Sequence, residues 1–196
     1  MANARFLHFQ TIEVIAMKAL SYSILNELRE TIEAVDENAL FQLADEILDA
    51  KHVFVGGCGR SEQTAKMFAM RLMHLSIPVF VVRDVTTPAI KKGDTLVLFS
   101  NVPESKYLGD LAKKAYHVSA SLCVFTYQKS SPMVDLATVA VQIPQRGMTD
   151  GIVRQQTAGV LFDQCSMLLA DTLIAHLANK LNIATEILLS NRSNLE

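Results

Sequence analysis

Short apolar runs alternate along this chain with stretches whose apolar residues recur at helical spacing. The runs are Val53–Gly56, Pro78–Val82, Thr95–Phe99, Ser121–Phe125 and Thr138–Val141. Each has the length of a strand, and the continuous apolar character marks strands buried on both faces. Between them, 62–75 and 106–115 read as helices, with a turn at 132–136. Two helices precede the first run. One covers about residues 10–32, on Ile12, Ile15, Ala16, Ala19, Leu20, Ile24, Leu25 and Leu28. The other starts at a capping Asp36, carries Leu40, Leu43, Ala44 and Ile47 on one face, and ends near Ala50. A long last helix covers about 157–181. Strand and helix alternating at this pitch predict an α/β fold, a three-layer α/β/α sandwich on a five-stranded parallel sheet. The common order 2-1-3-4-5 makes strands 1 and 3 neighbours at the switch point, where such sheets bind ligands.

Composition narrows the picture. The 196 residues suit one domain, half of them are hydrophobic, and the net charge of −2 offers no basic footprint for nucleic acid. Asp163, Gln164, Asp171 and His176 interrupt the most apolar stretch, 160–181, which reads as a core or interface helix and not as a membrane span. The N-terminus lacks a signal-peptide layout. Cys58, Cys123 and Cys165 have no metal-ligand spacing and read as reduced thiols in a cytoplasmic protein. The polar segment 145–156 is the candidate mobile loop.

The candidate chemistry lies in two loops, each after a strand and before a helix. The first is Gly56-Gly57-Cys58-Gly59-Arg60-Ser61. Its glycines permit a tight turn and a close backbone approach, and Ser61 either caps the next helix or binds a phosphate. A dinucleotide site, with Asp84 as the ribose ligand, lacks its third glycine, because Glu62 stands there. Glu62 must also point away if an anion is to bind. In the following helix Ala65, Phe68, Leu72 and Leu75 form a core stripe, and the methionines read as packing. Arg60 is a binding residue or a surface ion-pair partner, and His74 is structural. The second loop is Ser100-Asn101-Val102-Pro103-Glu104-Ser105. Ser100 and Ser105 supply hydroxyls, whereas Val102 has none and Pro103 lacks a backbone donor. A purely structural turn fits it as well.

Gly57-Cys58-Gly59-Arg60-Ser61, the block Phe68-Ala69-Met70-Arg71-Leu72-Met73-His74-Leu75, and Thr86-Thr87-Pro88-Ala89-Ile90 with Gly93-Asp94 carry a resemblance. From about residue 20 to the C-terminus the chain resembles the sugar isomerase (SIS) domain family, in its 6-phospho-3-hexuloisomerase branch. The resemblance implies a single domain over 1–196, with N-terminal helices to 50, an α/β core over 51–181 and a tail over 182–196. In that family the second loop looks like Ser-Gly-Ser-Gly-Glu-Thr and holds the substrate phosphate. Ser100, Glu104 and Ser105 match it, while Asn101, Val102 and Pro103 depart from it. Gly159-Val160-Leu161-Phe162-Asp163-Gln164 is similar to the family's Gly-Thr-Leu-Phe-Glu-Gln, whose glutamate is the proton acceptor. Asp163 keeps that carboxylate on a shorter arm. The ending from Ser190 to Glu196 resembles Arg-His-Ala-Asn-Leu-Glu, with Arg192 in the histidine's place. Arginine cannot shuttle protons but binds anions.

What the resemblance implies is an isomerase that takes a 3-hexulose 6-phosphate to fructose 6-phosphate through an enediol, without a cofactor or metal. Gly59, Arg60, Ser61 and the turn from Ser100 to Ser105 are expected to hold the phosphate. Asp163 is the expected base, and Glu104 and Arg192 assist. The expected partners are a small sugar phosphate and further copies of the chain, as a tetramer. A non-catalytic phosphosugar-binding or regulatory protein, or an isomerase with a shifted substrate, fits the same residues.

Overall fold

The computed structural model describes residues 17–102, 105–145 and 158–195. Helices α1 (Met17–Ile32) and α2 (Glu37–Asp49) lead into β1 (Val53–Gly57), α3 (Arg60–His74), β2 (Val79–Val81), β3 (Thr95–Ser100), α4 (Lys106–His117), β4 (Ser121–Thr126), α5 (Pro132–Asp135), β5 (Val139–Gln142), α6 (Ala158–Lys180) and α7 (Thr185–Ser190). The five strands are all parallel, in the order β2-β1-β3-β4-β5. Val53 pairs with both Val79 and Thr95, so the ends of β1 and β3 rise together. This is the predicted sheet and order. Parts of the first predicted helix (Ile12, Ile15 and Ala16) and of the predicted loop (146–156) lie outside the described residues.

Alternation along each strand divides the core in two. Val53, Val55, Val97, Phe99, Cys123 and Phe125 face one layer with residues of α2, α3 and α6. Phe54, Leu96, Leu98, Leu122 and Val124 face the other, against Leu108, Ala112 and Ala115 of α4. Phe99 stacks on Phe125 with ring centroids 4.6 Å apart. Local signals set the helix ends. Asp36 accepts from Asn38 N at 3.0 Å, and Ser105 accepts from Leu108 N at 3.3 Å. Two details add to the sequence reading, and one reading needs correction. The expected tail contains α7, which docks on α3 where Asn191 donates to His74 O and Ser76 Oγ, both at 2.9 Å. The segment Gly159–Lys180 of α6, with mean hydropathy 1.3, is long and apolar enough to cross a membrane. Here that apolar character serves the core, because Leu161, Phe162, Cys165, Leu169, Leu173 and Leu177 are all buried. Finally, Met67, Met70 and Met73 lie exposed on the outer face of α3 and are not core packing.

Candidate active site

Helices α3 and α6 run side by side in the same direction, from Ser61 against Asp163 at one end to Arg71 against Asp171, 3.7 Å apart, further along. Both start at the carboxyl edge of the sheet. Gly57 permits this start. A Cβ there would lie 2.7 Å from the backbone C and O of Ser61, so the close approach is to the first turn of α3 itself. Gly59, with φ 61, turns the chain into that helix. Across the edge, the first turn of α6 approaches the second loop. A Cβ on Gly159 would lie 3.6 Å from Asn101 Nδ2.

Asp163 sits where these elements meet, only 4 % exposed. Ser61 Oγ donates to its Oδ1 at 2.6 Å, and Asn101 Nδ2 donates to its Oδ2 at 3.3 Å. Arg60 Nε lies 3.5 Å from the same Oδ2, with its side chain largely open to solvent. One donor therefore comes from each of the two loops, and together they fix both oxygens of a buried carboxylate. A buried carboxylate without partners would be costly, so this socket lets α6 carry an acid into the layer.

The expected phosphate hydroxyls have other tasks. Ser61 is buried and does not cap α3, whose N-cap is Gly59 with no side-chain bond. Its hydroxyl is spent on Asp163 instead. Ser100 Oγ donates to Val102 O at 3.2 Å, and Ser105 caps α4 with its Oγ 3.9 Å from Cys58 Sγ. Val102 lies partly exposed beside them. Glu62 pairs with Lys66, 3.0 Å away along α3, which offsets its charge, and that charge still bears on the Tyr107 phenol. Pro103 and Glu104 lie outside the described residues. Arg192 does not join the site of its own chain. It follows α7, which is docked at the far end of α3, roughly 22 Å from Ser61 by helix length.

Asn101 was expected among the residues that hold the phosphate, and its amide is instead turned to Asp163. One residue at this edge escaped the sequence reading. Tyr107, in the first turn of α4, carries the Arg83 guanidinium 5.1 Å from its ring centroid. Burial raises the Tyr107 phenol above its ordinary range, against the opposing charge of Arg83.

Comparison with known proteins bears on this edge of the sheet. A model of the SIS domain matches residues 46–163, from the end of α2 to Asp163. The 3-hexulose-6-phosphate isomerase of Bacillus subtilis (strain 168) is 32% identical over 185 residues, 92% of this chain and 100% of that protein. The enzyme of the same name from Mycobacterium gastri is 34% identical over 175 residues, 88% of each chain. A Methanococcus jannaschii crystal structure, from which a molecular function of 3-hexulose-6-phosphate isomerase was inferred, superposes with a TM-score of 0.75. It is 27% identical and covers 92% of this chain and 98% of that one. With loops, sheet and buried carboxylate all inside the matched region, the chain belongs to the SIS domain family.

Proposed function

We infer that this protein is a phosphosugar isomerase that interconverts 3-hexulose 6-phosphate and fructose 6-phosphate. The observation that carries the reading is Asp163, a buried carboxylate held by one donor from each loop at the carboxyl edge of β1 and β3. The relatives that span nearly the whole chain carry the same activity in their names. In the reaction the base takes the proton from C2 to give an enediolate across C2 and C3, the hydroxyl proton passes from O2 to O3, and the base returns its proton to C3 with the carbonyl now at C2. The base must be held in place, since a shift of about 1 Å can cost roughly 100-fold in rate. Asp163 is that base, and Ser61 and Asn101 orient it. Arg60, beside Oδ2, offers positive charge to the oxygen of the enediolate. The phosphate lies near the N-terminus of α4, where Ser105, which caps that helix as an acceptor, still has its O–H to donate, and Ser100 exchanges its bond to Val102 O for the phosphate. We also propose a cytoplasmic homo-oligomer, a tetramer. Apolar side chains left exposed on α1, α3 and α6 support an assembly.

The test is a coupled assay that follows fructose 6-phosphate formed from 3-hexulose 6-phosphate. Wild-type protein is expected to turn over, and Asp163→Asn to lose about 10²- to 10⁴-fold in kcat, the usual contribution of a general base. Stabilisation by fructose 6-phosphate is expected to survive in that variant. Wild-type protein without turnover, beside a relative that is active in the same assay, would overturn the reading.

A further inference from the structure

Four non-glycine residues among those described have a positive φ: Ser76, Arg83, Ser119 and Asn182. Three of them close helices. Ser76, Ser119 and Asn182 follow α3, α4 and α6, and each is succeeded by a backbone bond that spans five residues, Ile77 N to Leu72 O, Ala120 N to Ala115 O and Ile183 N to Ala178 O. That is the ordinary left-handed helix stop. Arg83 differs. It follows β2 and sits third in the turn from Val81 to Asp84, closed by Asp84 N to Val81 O at 3.2 Å. Its φ of 80 suits glycine at that place. An exposed arginine thus occupies a strained position at the same carboxyl edge as the site.

The strained turn gives that side chain a direction. The guanidinium lies over Tyr107, 5.1 Å from the ring centroid, and so reaches from the end of β2 to the first turn of α4. Cys58, at the end of β1, and Tyr107 pack on the same cluster. Arg83 therefore stands at the carboxyl edge that also carries Arg60, Ser61 and Asp163, on the side of the sheet that α4 covers. Of the other cations at this edge, Arg60 lies beside Asp163 and Lys66 pairs with Glu62, while Lys106 stands at the first position of α4. The second loop has meanwhile given up a hydroxyl at Val102 and a backbone donor at Pro103. We propose that Arg83, braced on the Tyr107 ring, binds the phosphate of the sugar phosphate and restores the donors that the second loop lacks. A guanidinium offers paired N–H groups to phosphate oxygens, and the aromatic face fixes its plane. The proposal rests on the phosphosugar reading of the same crevice and adds a residue that sets affinity for the phosphorylated end.

Arg83→Gly tests it without endangering the fold, because glycine takes a φ of 80 freely. The variant is expected to melt no lower than wild type in buffer alone. Its KM for the sugar phosphate is expected to rise about ten- to hundredfold, the worth of a charged hydrogen bond, with little change in kcat. Stabilisation by inorganic phosphate and by fructose 6-phosphate is expected to shrink, and Arg83→Lys to recover part of it. An unchanged KM, or a loss confined to kcat, overturns the proposal while the isomerase reading stands. If wild-type protein is stabilised by phosphate without any turnover, and Arg83→Gly is not stabilised, the isomerase reading fails and the anchor stands. Wild-type protein that phosphate and fructose 6-phosphate leave unshifted overturns the anchor.

Discussion

Asp163 and Gly57 show how closely single residues are specified at this site. Asp163 is tolerated inside the layer because Ser61 and Asn101 meet its two oxygens, and Ser61 is in place because Gly57 lets α3 begin against the end of β1. A methyl group at Gly57 would meet backbone 2.7 Å away, and backbone cannot swing aside as the end of a side chain can. Gly57→Ala must therefore push α3 off β1. Overpacking of this kind costs about 1–3 kcal/mol. Urea denaturation is expected to show that loss, and the displacement of Ser61 is expected to lower turnover further than the stability loss alone explains. A Gly57→Ala protein with wild-type midpoint and wild-type kcat would show that the contact is soft.

Buried strands and capped helices were legible because their signals are local. The runs around Val53, Thr95 and Ser121 are apolar without a break, and Asp36 marks a helix start by its own side chain. What stayed hidden depends on partners far away in the chain. Ser61 and Asp163 are 102 positions apart, so no spacing rule links them. The short helix α7 owes its place to Asn191 against the end of α3, and Arg83 owes its role to a dihedral angle that its residue type does not advertise. Burial inside the elements also changes their chemistry. The Cys165 thiol on α6 is pushed up to about 11 from an ordinary 9.0 by desolvation, and burial raises Cys123 on β4 still further. A thiol raised in the folded protein stays protonated where the unfolded chain has already ionised. Its stabilising effect is complete below pH 9 and is lost as pH climbs from there toward 11. The urea midpoint is thus expected to fall above pH 9, and to fall less steeply in Cys123→Ala/Cys165→Ala. Equal slopes in the two proteins would refute this. In native protein a thiol reagent at pH 8 is expected to reach half-exposed Cys58 first, with all three thiols reacting once urea is added.

At the scale of the whole molecule, the surface of α3 and α6 does not match the rest of the fold. The stripe Ala65, Phe68 and Leu72 faces the sheet, yet Met67 and Met70 on the opposite side of α3 remain 41% and 45% exposed. With Met167 of α6 they line a groove edged by the Arg71–Asp171 pair. Large apolar side chains gathered on two parallel helices and rimmed by charge are the pattern of a surface that another protein covers, and methionine adapts readily to such contacts. Leu168 of α6 and Tyr22 and Leu25 of α1 add to the exposed apolar area. A second copy of the chain is the occupant consistent with the proposed oligomer. Sedimentation at micromolar concentration is expected to give a species larger than the 21.6 kDa monomer. Met70→Glu with Met167→Glu is expected to shift it toward the monomer, because each charge would be stranded in a desolvated contact. Both side chains are exposed in the single chain, so the substitutions should cost the isolated fold little, within about 0.5 kcal/mol each. If association stabilises the fold, the melting temperature of wild type also rises with protein concentration, while that of the double variant does not. A wild-type protein that sediments as a monomer and melts independently of concentration would assign this methionine groove to something other than self-association.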